Sequence, residues 1–379
     1  MRILVTGGCG FIGSNFIEYA LSNNADLQIV NLDKLTYAGN LANLEEVVAS
    51  YGSNAQVQAA LARKKEQALI TASRQPIASG SATKTQNTPP QNTSNNRYVF
   101  VHGDIACEAD VLFALENYKP DAVINFAAES HVDRSIHDPS PFITTNIMGT
   151  QVLLQACKNL GIERFVQVST DEVYGSLGPS GLFSEKTPLD PRSPYSASKA
   201  SADMLASAYF HTHNLAVMIT RCSNNYGPYQ FPEKLIPFMY RQAINNDFLP
   251  VYGDGLNVRD WIHVQDHCAG VWLTLTKGRP GGVYNFGGNA ERSNIEVVRG
   301  VLSLLGKPES LISFVQDRPG HDRRYAMDFS LAAEELGFEP KHSFEEGLRE
   351  TIAWYQNNQA WLEQIISGEY LEFMRAWYT

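Results

Sequence analysis

Short apolar runs punctuate the first half of the chain, and segments with apolar positions at helical spacing lie between them. Ile3 to Thr6 is a strand-like run closed by glycines, after which Phe11 to Leu21 sets Phe16, Ile17, Ala20 and Leu21 on one helical face. Ile29–Leu32, Tyr98–Val101, Ala122–Phe126 and Arg164–Ser169 read as four further strands. A helix covers roughly Asn146–Leu160, with Ile147, Val152, Leu153, Leu154 and Cys157 on its apolar side. Continuously apolar strands alternating with helices predict a parallel sheet covered on both faces.

The rhythm breaks from Ser53 to Asn96. That stretch is rich in Ala, Gln, Ser, Thr and Asn, carries Pro76, Pro89 and Pro90, and is locally basic through Arg63, Lys64, Lys65, Arg74 and Lys84 against Glu66. Ala55 to Ile70 is compatible with a short helix; the remainder reads as a disordered surface loop. Loop length adds little entropic cost, so the whole reads as a tolerated insertion. After Arg221 the regular strands give way to loop-rich blocks.

With 379 residues the chain is long enough for one large or two modest domains. Its net charge of −10 argues against nucleic acid or an anionic membrane surface as a partner, since phosphate backbones are bound by clustered Lys and Arg. Cys9, Cys107, Cys157, Cys222 and Cys268 are odd in number and widely spaced, which disfavours metal ligation and a disulfide framework; reduced thiols in a cytoplasmic protein are expected. His131, His263 and His267 read as structural, and no run of about 18 apolar residues predicts a membrane span.

The first strand and helix are joined by Thr6 through Gly13, TGGCGFIG. Gly7, Gly10 and Gly13 make the tight turn, admit a pyrophosphate to the backbone N–H groups and allow close helix–strand packing. The position between a strand and a helix is the context that makes this pattern specific. Asp33 ends the second strand, 20 residues after Gly13. A carboxylate there accepts from adenosine ribose hydroxyls and repels a 2′-phosphate, favouring NAD over NADP. Asp104 and Ile105 follow the third strand at the position that contacts adenine in such folds. Phe126, Ala127 and Ala128 close the fourth, where small residues let a cofactor lie close to the backbone.

Tyr195 and Lys199 stand four residues apart on a helix that begins with Ser193 and Pro194. They share a face, so Lys199 can stabilise a Tyr195 phenolate and hold a nicotinamide ribose. Thr170, Asp171 and Glu172 follow the fifth strand. A plain oxidoreductase needs only the Thr with Tyr and Lys. Two adjacent carboxylates suit a reaction that uses both an acid and a base.

Further blocks extend the pattern: NFAAESHVDRS from Asn125 to Ser135, TDEVYG from Thr170 to Gly175, and RCSNNYGPYQFPEKL from Arg221 to Leu235. They continue with PVYGDG from Pro250 to Gly255, RDW from Arg259 to Trp261 and DRPGH from Asp317 to His321. On these residues the chain resembles the dTDP-glucose 4,6-dehydratase family of the extended short-chain dehydrogenases (the NAD-dependent epimerase/dehydratase group), over nearly its whole length except 53–96. The resemblance implies a Rossmann-type doubly wound parallel sheet with a smaller α/β C-terminal substrate-binding domain. Residues 1–220 with a returning 265–289 would bind NAD, and 221–264 with 290–379 would bind the nucleotide sugar. It implies an NAD-dependent hydro-lyase acting on dTDP-glucose, in a deoxysugar route such as rhamnose formation. The enzyme would be a homodimer packed through helices near 146–160 and 195–213.

By the same resemblance Phe11, Ile12, Lys34, Thr36, Ser130, Thr145 and Asn225 join the cofactor contacts. Substrate contacts would be Ser130, Thr170, Asn225, Lys234, Leu235, Pro250, Val251, Tyr252, Arg259, Asn294, Asp317, Arg318, His321 and Tyr325. An epimerase or a decarboxylase of the same group remains an alternative, although an epimerase has no use for an acid–base pair after Thr170. GDP-mannose and CDP-glucose dehydratases are also left open. A non-catalytic dinucleotide-sensing or RNA-associated protein is disfavoured by the presence of both Tyr195 and Lys199 and by the acidic charge.

Overall fold

The apolar runs are buried from end to end because the sheet they build is covered on both sides. The computed structural model describes residues 1–73, 96–317 and 320–366. Its strands in chain order are β1 (Arg2–Thr6), β2 (Gln28–Asp33), β3 (Tyr98–His102), β4 (Ala122–Asn125), β5 (Arg164–Thr170) and β6 (Val217–Cys222). They continue as β7 (Asn224–Tyr226), β8 (Leu249–Tyr252), β9 (Val258–His263), β10 (Val283–Phe286), β11 (Glu291–Ser293) and β12 (Ile312–Val315).

Seven of these form a sheet in the order β10-β6-β5-β4-β1-β2-β3, every neighbouring pair parallel. Successive side chains of a strand face opposite sides. Ile3 and Val5 accordingly join one core with Phe16, Ile17, Phe100 and Val166, and Leu4 joins another with Val30, Val123, Leu153 and Phe165. The chain runs outward from β1 to β3, then returns across to β4 and runs the other way. That reversal opens a crevice at the carboxyl ends of β1 and β4, the position where ligands bind in open α/β sheets.

A second, smaller layer holds the sheets β11-β9-β7 and β12-β8. Its core contains Tyr226, Ile236, Tyr240, Trp261, Val297 and Tyr355, buried by the helices Leu235–Asn245, Asn294–Leu305 and Phe344–Asn357. This region is more regular than its sequence implies. Strands of three to six residues held by one or two neighbours leave too little periodicity to read. The helix Val264–Lys277 packs back on the first layer through Val264, Val271 and Leu275, and β10 pairs with β6, with Gly287 and Gly288 directly after it.

Two helical segments differ from their expected forms. Ile143–Gly149 is a π-helical turn that precedes the α-helix Thr150–Leu160. Asn146 is clamped there, its amide exchanging hydrogen bonds with the backbone of Glu129 at 2.9 and 3.0 Å. Such wide turns concentrate at functional sites. The helix of the inserted segment spans Asn54–Ser73, longer than Ala55–Ile70. The loop expected after it falls mostly on 74–95, outside the described residues. Among the described residues no helix is long and apolar enough to cross a membrane.

Candidate active site

A single cleft follows the carboxyl ends of β1, β4, β5 and β6. Gly7 closes β1 with φ +69°, and a Cβ there would sit 2.6 Å from the Ala127 nitrogen; one on Gly13 would sit 2.3 Å from the Gly7 carbonyl oxygen. Both positions therefore demand glycine, and the helix Phe11–Asn23 starts with its N-terminus in the cleft. Asp33 is buried at the far end, accepting from the backbone N–H of Cys9 at 2.8 Å and of Leu35 at 2.7 Å. Each oxygen keeps a lone pair, so ribose hydroxyls can still donate to it. Lys34 pairs with Asp104 at 2.8 Å. Phe11, Ile12, Thr36, Ile105, Phe126, Ala127, Ala128, Ser130, Thr145 and Asn225 line the same cleft, which brings all the expected cofactor positions together. A glycine cradle against a helix N-terminus with a carboxylate beyond it fits a dinucleotide with free ribose hydroxyls.

The reactive end is built by two elements. The β5 strand ends at Thr170, and a 3-10 turn, Asp171–Tyr174, follows it; Thr170 accepts from the Glu172 N–H at 3.3 Å and donates to Asp171 Oδ1 at 3.1 Å. Opposite, Ser193 and Ser196 form a capping box on the helix Pro194–His213, which presents Tyr195 and Lys199 to the cleft. Burial, and then the neighbouring Glu172 carboxylate, push the Asp171 pKa well up, opposed by the Thr170 hydroxyl and Arg259. Asp171 Oδ2 is buried without a hydrogen-bond partner, the environment of a neutral carboxylic acid.

Tyr195 is buried in this pocket. Burial raises its pKa, Glu172 and Cys222 raise it further, and Thr170 opposes them. Lys199 has its own pKa lowered by burial, with Asp203 and Cys222 acting against that, and its ammonium donates to the Val168 carbonyl at 2.7 Å. In this dry pocket desolvation is the largest influence on each of the two groups.

The substrate positions divide. Ser130, Thr170, Asn225 and Lys234 line the cleft, and Lys234 Nζ donates to the Ser130 carbonyl at 2.8 Å. Leu235 opens its helix, and Pro250, Val251 and Tyr252 lie on β8, where the Tyr252 hydroxyl donates to Asp133 at 3.3 Å. Arg259 is buried, donates to the Asp322 carbonyl at 2.9 Å and lies 4.2 Å over the Tyr325 ring. Tyr325 donates to Asp322 Oδ2 at 2.6 Å, and Asp317 pairs with His321 at 2.6 Å. Asn294 begins the helix Asn294–Leu305. None of these last nine lines the main cleft, although Arg259 and Tyr325 interact electrostatically with Asp171 and Glu172. Arg318 lies outside the described residues.

Several contributors were not singled out as site residues in the sequence. Glu233 is buried against Arg134 at 3.2 Å and the Tyr37 hydroxyl at 3.1 Å, joining two turns and the short helix Val132–His137 along the cleft. Arg221 binds Asp203 at 2.9 Å and the Tyr174 hydroxyl at 2.9 Å, tying the helix of Lys199 to the turn of Glu172. His267, its pKa lowered to about 3 by burial, contacts the Asn225 amide oxygen at 2.9 Å and so donates to it as a neutral ring. Among the described residues no group of His, Cys, Asp and Glu could hold a metal ion.

Residues 51–351 match the family model described as GDP-mannose 4,6 dehydratase. A dTDP-glucose 4,6-dehydratase of Xanthomonas campestris is 47% identical over 385 residues, covering 97% of this chain and 96% of its own length. A crystal structure of the dTDP-glucose 4,6-dehydratase of Streptomyces venezuelae with NAD bound superposes with a TM-score of 0.81 at 44% identity, over 96% of this chain and 100% of that one. The UDP-glucose 4-epimerase of Thermus thermophilus, in complex with NAD, is more distant: 27% identity, TM-score 0.76, 94% of this chain and 100% of that one.

Proposed function

This chain belongs to the dTDP-glucose 4,6-dehydratase family, and from that membership we propose that it binds NAD and converts dTDP-glucose to dTDP-4-keto-6-deoxyglucose and water. The observation that carries the reading is the buried acid Asp171 beside Glu172, in the turn that Thr170 caps. The division into a cofactor-binding part (1–220 with 265–289) and a nucleotide-sugar part (221–264 with 290–379) belongs to the same proposal.

NAD held along Gly7, Gly13 and Asp33 would supply the hydride acceptor for the sugar C4 and the hydride donor for C6. Tyr195, as the phenolate, takes the proton of the 4-hydroxyl, and a cationic nicotinamide in the cleft would favour that form against the burial that raises its pKa. The 4-ketone then acidifies C5–H, and Glu172 removes that proton while Asp171 protonates the departing 6-hydroxyl, releasing water. Glu172 afterwards returns its proton to C5. One cycle leaves Tyr195 with an extra proton and Asp171 short of one, so a proton must pass from the first to the second. The Thr170 hydroxyl, which contacts Asp171 and opposes the upward shift of Tyr195, stands on that route. Lys199 holds its ammonium at the Val168 carbonyl beside the cleft, placed for a ribose hydroxyl.

Ile143, Met148 and Met204 support a homodimer, being 49%, 54% and 57% exposed on the segments 143–149 and 194–213. Five free cysteines, four of them buried, support a cytoplasmic site.

The test is to incubate the purified protein with dTDP-glucose and no added cofactor. The alkaline absorbance of the keto-sugar and the loss of one water by mass are followed. Product formed this way supports both the dehydration and a retained cofactor. No product even with NAD supplied overturns the reading and turns the search to UDP-, GDP- and CDP-sugars.

A further inference from the structure

The segment that interrupts the strand–helix rhythm does not hang free where it is described. On the helix Asn54–Ser73, Val57, Ala60, Leu61 and Lys64 recur at i, i+3, i+4 and i+7, the spacing of one face. Val57 is buried in the core on one side of the main sheet, and Ala60 and Leu61 pack against that core. Arg63 reaches past the edge strand β3: its guanidinium lies 3.7 Å over the ring of Phe113, on the helix Glu108–Tyr118, and donates to the His102 carbonyl. The helix thus covers the sheet's open edge, where a strand would otherwise show unpaired backbone.

The loop between β3 and the helix Glu108–Tyr118 forms the adenine end of the cleft through Gly103, Asp104 and Ile105. Asp110 organises that loop. Its carboxylate is 5% exposed and accepts the Asp104 N–H at 2.9 Å, and the same oxygen pairs with Lys64. A buried carboxylate needs a cation, and the inserted helix provides one. Arg63 supports the neighbouring backbone at His102, whose ring contacts the Lys34 carbonyl at 3.1 Å. Lys34 in turn pairs with Asp104.

We infer that the inserted helix braces the adenosine end of the cofactor cleft from behind, with Lys64 as a positioning residue that holds Asp110 and through it the Asp104 loop. The inference rests on the reading that NAD occupies this cleft. Lys64 lies outside the cleft lining, so its effect falls on how long the cofactor stays and not on the reaction.

The experiment is exchange of the NAD carried by the purified full-length enzyme against isotopically labelled NAD, with wild type, Lys64→Met and Lys64→Arg. Lys64→Met is expected to exchange about tenfold faster, ~1.4 kcal/mol. Its kcat at saturating NAD and its KM for dTDP-glucose should match wild type, and Lys64→Arg should restore slow exchange. Arg63→Gln, expected to accelerate exchange by a smaller factor, keeps the test intact should Lys64→Met fail to fold. Exchange at the wild-type rate in both Lys64→Met and Arg63→Gln overturns the brace. A wild-type protein that neither carries nor takes up NAD overturns the cofactor reading itself, and this inference with it.

Discussion

Replacing Asp171 by Asn should slow the enzyme and at the same time make it more stable at neutral pH. Asp171 is 2% exposed, beside Glu172, and its folded pKa lies well above the unfolded value. The unfolded chain therefore releases this proton first as pH rises. Stability is lost from about pH 4 upward and levels off only once the folded pKa is passed. Each pH unit in that window costs ~1.4 kcal/mol, so holding the proton at pH 7 against an unfolded pKa of about 3.9 costs at most about 4 kcal/mol. Asn removes that cost and keeps an oxygen for the Thr170 hydroxyl. The stability difference between Asp171→Asn and wild type, from urea melts between pH 4 and 8, should be near zero at the acid end and grow with pH to roughly 1–4 kcal/mol. Turnover should fall about 10²–10⁴-fold through loss of the acid. A sugar oxidised at C4 that still carries its 6-oxygen should be detectable by mass. A stability difference that does not grow with pH, or turnover near wild type, would refute the reasoning.

Further substitutions probe other parts of the site. Tyr195→Phe should lower kcat by about 10²–10⁴-fold while the NAD content of the purified protein is unchanged, because only the proton acceptor is lost. Gly13→Ala forces a Cβ to 2.3 Å from the Gly7 carbonyl, so the phosphate turn must shift; NAD content should drop while the chain still folds, as read by extraction and circular dichroism. Arg221→Met removes the hydrogen-bonded cation of the buried Asp203 carboxylate, leaving it the weaker influence of Lys199, and should cost about 3–5 kcal/mol in denaturant melts. Asp203→Asn in the same background should recover part of that cost.

Five of the seven strands of the main sheet, and the identity of its reactive groups, were legible in the sequence. Continuous apolar runs at β1, β2, β3, β4 and β5 define parallel strands because burial on both faces leaves no room for alternation. TGGCGFIG, Asp33, TDEVYG and the Tyr195–Lys199 spacing are local patterns whose geometry follows from one turn or one helix, so they could be read without the fold. The tertiary structure decided what is set by groups far apart in the chain. The upward shift of Asp171 comes from burial, and burial likewise dominates the upward shift of Tyr195. Glu233 meets Arg134 across 99 positions, Arg221 meets Tyr174 across 47, and Lys64 meets Asp110 across 46. No periodicity records such pairs, because they exist only once the elements that carry them are packed. The short strands β7, β8, β11 and β12 are of the same kind, specified by their neighbours more than by their own three or four residues.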